Sequence, residues 1–246
     1  MTGVNCAIGR EELPRFARAA DVAVGVSAYN AEELRAAGAR ETAVVPILVD
    51  PAALGAPGSP PDGGGPPEIL FVGRLAPHKR HDLALRAFAL YRAEHAPAAR
   101  LTFVGSPLNA AYRERLADLA ERLAPGAVRF ESGLGAEALA ARWRSAHAFL
   151  CLSEHEGFCI PLLEAFHFGV PVVARPAGGI PEVAGDAALL VEDRDPAVAA
   201  ELLHLVVSDG RLAGELRRRG RERLVHYDHR RVAEELRALL SRGRRG

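Results

Sequence analysis

The stretch Glu156–Glu164 reads EGFCIPLLE, two carboxylates enclosing a glycine, an aromatic ring and a proline. A buried core segment excludes glutamates, and a solvated helix excludes a Phe-Cys-Ile-Pro-Leu-Leu run between them. Upstream lies the apolar run AFLCLS (148–153) and downstream PLLEAFHFG (161–169), so the stretch joins a strand to a helix. Pro161 suits the first helical turn, where its missing N–H costs nothing. The backbone N–H groups of Gly157, Phe158, Cys159 and Ile160 then gather at a helix N-terminus, where an anion is favoured. Glu164 falls one turn inside the helix and Glu156 precedes it in the loop, so both acids can face one crevice. A carboxylate accepts hydrogen bonds from neighbouring hydroxyls, as on a ribose or hexose ring. The competing readings are a helix cap for Glu156 and a structural ion pair for Glu164.

Outward from this stretch the pattern is regular. EILFVG (68–73), LTFVG (101–105), VRFESG (128–133), AFLCLS, PVVAR (171–175) and ALLVE (188–192) are short apolar runs suited to fully buried strands. Helical stretches separate them, among them 81–96, 110–124 and 136–146. Such alternation predicts an α/β fold, a Rossmann-like doubly wound parallel sheet with helices on both faces. Ligands bind such sheets at the edge where the strands end. Residues 53–67, ALGAPGSPPDGGGPP, read as a linker or mobile loop. Before it, residues 1–52 hold two helical and two strand-like runs, too little to bury their own strands, so they resemble the end of a larger α/β domain. The main domain is expected over 68–228, with Asp195 capping a helix that opens on Pro196. A basic helix and tail take 229–246.

Composition narrows the function classes. The chain has 246 residues, 49% apolar, with 31 basic and 31 acidic side chains, so it lacks the charge footprint of a nucleic-acid binder. From Arg211 onward about a dozen arginines face about five acids, which reads as a solvated helix face or as a patch for phosphate, anionic lipid or another domain. Cys6, Cys151 and Cys159 are too few and too scattered for a disulfide framework or a metal quartet, and they point to a reducing compartment. No leader and no membrane-length apolar run is visible, so the expected location is cytoplasmic, with membrane contact at most peripheral.

A second constellation follows the strand EILFV: Gly73-Arg74-Leu75-Ala76-Pro77-His78-Lys79-Arg80. The glycine lets the backbone turn at the strand end. Arg74 offers a planar fork to phosphate oxygens and Lys79 a compact charge, and together they suit a diphosphate; the competing reading is a basic loop that is merely exposed. The loop is neither a Walker loop nor a GxGxxG dinucleotide turn. A glutamate beside a phosphate is repulsive, so the acids are expected at sugar rings and the cations at the diphosphate. His78-x-x-His81 and His226-x-x-His229 lack third and fourth ligands and read as scattered surface histidines. His155 reads as a loop residue that positions Glu156.

Taken in order, these motifs resemble a known family. EGFCIPLLEA is similar to the E-x7-E motif of retaining nucleotide-sugar glycosyltransferases of the GT-B fold, and FVGRLAPHKR resembles their donor-phosphate loop. GVPVVARPAGGIPEVAGDAALLV resembles the strand and turn that follow, and VGVSAYNAEELRAAGARETAVVPILVD the junction between the two GT-B domains. The resemblance implies the C-terminal, donor-binding half of such an enzyme. By it, Arg74 and Lys79 neutralise the donor diphosphate, Glu156 contacts the donor sugar, and Glu164 holds the ribose. Gly73, Gly157, Phe158, Cys159 and Ile160 line the donor, and Glu131, at the strand end Phe130–Gly133, lies where the base would bind. It implies a UDP- or GDP-sugar as substrate, a glycan or lipid-linked acceptor, surface polysaccharide or glycolipid synthesis in bacteria, and no metal or other cofactor. The family's acceptor-binding domain is matched only by residues 1–52. The chain therefore also reads as a non-catalytic half of a split enzyme that pairs with an acceptor subunit, or as an epimerase of the same fold.

Overall fold

The computed structural model describes residues 3–59, 61 and 65–242. Pro60 and residues 62–64 of the expected linker, and residues 243–246 of the tail, lie outside the described residues.

The six expected strands all form. They are β3 (Glu68–Val72), β4 (Arg100–Val104), β5 (Val128–Glu131), β6 (Ala148–Cys151), β7 (Val172–Ala174) and β8 (Ala188–Leu190), numbered after two N-terminal strands. All pairings between them are parallel, in the order β5-β4-β3-β6-β7-β8. The chain moves outward from β3 to β5, then returns to lay β6 on the other side of β3. Loops leaving β3 and β6 therefore diverge, and a crevice opens between them at the strands' C-terminal ends.

Period-two alternation decides which helices cover which face. Ile69, Phe71, Leu101, Phe103, Ala148 and Leu150 pack with α4 (His81–Glu94), α5 (Ala110–Leu123) and α9 (Pro196–Ser208). Leu70, Val104, Phe149 and Cys151 pack with α6 (Ala136–Ser145), α7 (Ile160–Phe168) and α8 (Ile180–Ala184). Strands sandwiched in this way must be apolar on both sides, which is why their sequences run continuously rather than alternating. Trp143, Tyr91, Phe71 and Phe88 are each fully enclosed. Each such side chain contributes roughly 1.5–3 kcal/mol through the area it removes from water. Asp195 caps α9 by accepting from the Ala197 N–H at 2.9 Å, with Pro196 in the first turn.

Helix α10 (Gly210–Leu224) packs across α7 and α9. Four of its six arginines have protein partners, while Arg211 and Arg221 lie exposed on its surface. Arg217 donates to the Gly169 carbonyl, Arg223 to those of Glu182 and Val183, and Arg218 and Arg219 pair with Glu215. Carbonyls at the ends of α7 and α8 thereby gain cationic partners, as the helix dipole favours.

The N-terminal residues form α1 (Gly3–Ala19), β1 (Ala23–Gly25), α2 (Ala28–Ala36) and β2 (Thr42–Val44), with β1 and β2 parallel in a separate two-stranded sheet. Beyond that sheet, Val49 bridges to Asp228, just before α11 (His229–Arg242). The expected linker begins in ordered structure. A short helix, α3 (Pro51–Leu54), takes its first residues, the Gly55 carbonyl lies 2.7 Å from His167 Nε2, and Arg144 donates to the Ala56 carbonyl. No described helix is long and apolar enough to cross a membrane.

Candidate functional site

Two strand ends build the crevice. Gly73 follows β3 with φ +148°, and Gly105 follows β4 with φ +158°. A Cβ on Gly105 would lie 1.9 Å from the Gly73 carbonyl oxygen, so only glycine allows the two loops to cross there. The Leu75 N–H donates to the Ser106 carbonyl at 3.0 Å and pins the first loop. A 3-10 turn, Pro77–Lys79, then delivers Lys79 to the mouth of α4. Arg74 stands exposed before it.

The second loop leaves β6 beside the first. The Glu154 N–H donates to the His78 carbonyl at 2.8 Å, and Arg80 bridges Asp82 and Glu154. Lys79 Nζ lies 2.6 Å from Glu156 Oε1, and the buried Ser153 hydroxyl donates to the same oxygen at 2.7 Å. The two constellations quoted from the sequence thus meet at the switch in strand order. Lys79 and Glu156, expected at the diphosphate and at the sugar respectively, form a nearly buried ion pair in which each charge offsets the cost of burying the other.

The backbone around Glu156 is set by another turn. Gly179 N–H donates to the Glu156 carbonyl at 2.8 Å, and a Cβ on Gly178 (φ +57°) would lie 2.0 Å from that carbonyl oxygen. From the N-terminal unit, Ser27 donates to the Gly157 carbonyl at 2.7 Å, and Glu182 accepts from the Ala28 N–H at 2.6 Å. Cys159 precedes α7 with φ +73°, a conformation that costs a non-glycine residue free energy and recurs where function fixes the backbone. Among the described residues, the N–H groups of Gly157, Phe158, Cys159 and Ile160 have no protein acceptor. Phe158 is buried edge-on against Tyr227, and Ile160 is partly exposed.

Glu164 sits one turn into α7, mostly buried. Its Oε2 and the Trp143 indole nitrogen both lack a hydrogen-bond partner among the described residues. Burial pushes its carboxyl up from the ordinary value of 4.5; the Trp143 indole opposes that rise without reaching hydrogen-bonding geometry. A buried carboxylate oxygen without a donor fits a site that receives hydroxyls.

Glu131 is held otherwise. At the end of the edge strand β5 it accepts two hydrogen bonds from Arg142, both 2.7 Å, two strand spacings or about 10 Å from β3. Beside it Phe130 stacks on Phe103, with the Arg113 guanidinium 3.9 Å from its ring.

Of the histidines expected at the surface, His226 is exposed and His78 and His229 are partly so, but His81 departs from expectation. His81 is fully buried rather than on the surface, packed edge-on against Phe71 and Phe103 with Nδ1 3.3 Å from the Tyr112 hydroxyl. Burial lowers its pKa to about 3, so it is a neutral core residue. His155 packs against Tyr29, while Ser153 and Lys79 orient Glu156. Ser153, Gly178 and Ser27 were not singled out from the sequence. The glycine pair in PAGGIPEV was the visible signal, whereas nothing about a lone serine distinguishes Ser27 or Ser153.

Comparison with known proteins identifies the family and the fold. The family model described as glycosyl transferases group 1 matches residues 58–223. D-inositol 3-phosphate glycosyltransferase of Streptomyces avermitilis is 35% identical over 158 residues, which are 61% of this chain and 34% of that protein. The chain thus spans about a third of the length of the curated relatives it matches. Among solved structures, sucrose-phosphate synthase from Thermosynechococcus elongatus superposes with a TM-score of 0.81 at 22% identity, over 95% of this chain and 61% of that one. HepE from Anabaena, solved with UDP and glucose, gives 0.80 at 19% identity, over 98% and 67%. These likenesses are of fold, and the fold is that of GT-B glycosyltransferases. By its sequence match and the order of its strands, the chain belongs to the glycosyl transferases group 1 family.

Proposed function

We propose that this chain is the donor-binding half of a retaining glycosyltransferase and that its crevice holds a nucleoside diphosphate sugar, UDP- or GDP-linked. The observation that carries the reading is the meeting of Lys79, Glu156 and the unpaired N–H groups before α7 at the topological switch point. Cations and backbone N–H groups suit a diphosphate, and a carboxylate that already accepts from the Ser153 hydroxyl suits sugar hydroxyls. Glu164, with a buried oxygen lacking a donor, suits the ribose. The base falls toward Phe130 and Glu131, about 10 Å away across the sheet edge.

A diphosphate entering the crevice competes with Glu156 for Lys79. As it draws the ammonium away, Glu156 Oε1 is released to accept from the sugar. As the glycosidic bond breaks, charge builds on the leaving diphosphate, where Lys79, Arg74 and the α7 N-terminus stabilise it; preorganised groups of this kind supply a large share of catalysis. The acceptor, a glycan or lipid-linked sugar, needs a second wall to orient it and exclude water. Alone, this chain is expected to bind donor and hydrolyse it slowly. The proposed setting is cytoplasmic synthesis of a cell-surface polysaccharide or glycolipid, without a metal ion.

Calorimetric titration with UDP and GDP tests the reading. One nucleotide should bind, and Lys79→Ala should weaken it at least about tenfold, the effect of losing about 1.4 kcal/mol. Folded protein that gives no heat with either nucleotide would overturn it.

A further inference from the structure

The second loop carries chemistry that donor binding does not use. Cys151, the last residue of β6, and Cys159, the cap of α7, bring their sulfurs to 4.0 Å inside the protein. Cys151 Sγ is also 3.9 Å from Glu156 Oε1, and the three ligand atoms all lie within 4.8 Å of one another. All three residues are buried. Zinc binds thiolate at about 2.3 Å, so two thiolates of one tetrahedral ion stand about 3.8 Å apart, within a few tenths of an ångström of this pair. The left-handed backbone at Cys159 is a position that glycine fills without strain, yet here a thiol occupies it and reaches its partner.

We propose that Cys151, Cys159 and Glu156 form a binding site for a thiophilic divalent cation of the zinc class, and that its occupancy shuts the donor site. The charges balance: two thiolates and one carboxylate carry three negative charges, matched by the divalent ion and the Lys79 ammonium. Binding releases one proton from each thiol and involves no redox change, so affinity rises with pH. The ion takes Glu156 Oε1, the oxygen now shared by Lys79 and Ser153, and removes it from the sugar. This last consequence rests on the proposed donor site; the metal site itself does not.

Cobalt(II), added to phosphine-reduced protein, is the probe. Wild type should take up one cobalt per chain, with a thiolate-to-cobalt charge-transfer band and the strong visible bands of tetrahedral geometry, both erased by zinc. Cys151→Ser and Cys159→Ser should each lose the charge-transfer intensity while keeping a native circular dichroism spectrum, and Cys6→Ser should keep it. The isosteric Glu156→Gln should need more cobalt for half-saturation, which covers the case of a serine variant that does not fold. Absence of the band in folded wild type, or its survival in both serine variants, would overturn the site. So would reduced protein that ignores cobalt yet closes a Cys151–Cys159 disulfide, two hydrogens lighter, under mild peroxide. Zinc should also abolish UDP-sugar binding in wild type. If UDP-sugar binding persists with zinc bound, the shut-off fails and the metal site stands; if no nucleotide binds with or without metal, the donor reading fails and the cobalt result stands by itself.

Discussion

Glu164 shows how one side chain exposes a cost that the proposed function would explain. Its Oε2 is buried with no donor among the described residues, so ionising the carboxyl in the folded protein is unfavourable and its pKa is raised. The sign follows from linkage: the folded state binds the proton more tightly than the unfolded chain, so the penalty is complete above the raised pKa and absent below the ordinary 4.5. Glu164→Gln should therefore raise the melting temperature at pH 7–8, and the gain should shrink as pH falls below the raised value. Melting curves across pH 4–8 decide it, and a gain that is constant with pH would mean that ionisation is not the cause. Where stability rises by removing a charge, nucleotide affinity should fall, a trade expected at sites built for a ligand.

At the scale of elements, the turn between β7 and α8 does more than connect. Gly178 at φ +57° lets the turn lie against the Glu156 carbonyl, and Gly179 donates to that same carbonyl. Gly178→Ala should cost about 1–2 kcal/mol in backbone strain alone and shift the Glu156 loop, abolishing nucleotide binding. Gly214, inside α10 with nothing within 4 Å of its would-be Cβ, is the contrast. Gly214→Ala should stabilise by up to about 1 kcal/mol and leave binding unchanged. Paired denaturant titrations and calorimetry check both. The sequence marked PAGGIPEV as a turn and placed every strand of the large sheet. It could not show that this turn buttresses the loop after β6, because the two are brought together only by the neighbouring positions of β6 and β7 in the sheet.

On the scale of the whole molecule, the small N-terminal sheet and the large domain are joined at the site itself. Ser27 caps α2 through the Asn30 N–H and also donates to the Gly157 carbonyl. Ser27→Ala removes a cap worth about 1 kcal/mol and leaves a part-buried carbonyl unpaired, for a loss of about 1–2 kcal/mol. The melting temperature should drop by about 2–8 °C, and affinity for whichever nucleotide binds, UDP or GDP, with it. A drop in melting temperature with unchanged affinity would mean that the junction supports the fold and not the loop.

Sequence alone determined the strand and helix order, the turn chemistry at Gly73 and Pro161, and the two loops that carry Lys79 and Glu156. These are local properties, set by apolar periodicity and by residues such as glycine and proline whose backbone preferences act in place. Tertiary structure alone decided that Lys79 and Glu156 form an ion pair, that His81 is a core residue, that Ser153 and Ser27 contact the Glu156 loop, and that two cysteines face each other beside it. Those facts depend on which strands become neighbours and which way a side chain turns when charges leave water, and neither is written in any one segment of the chain.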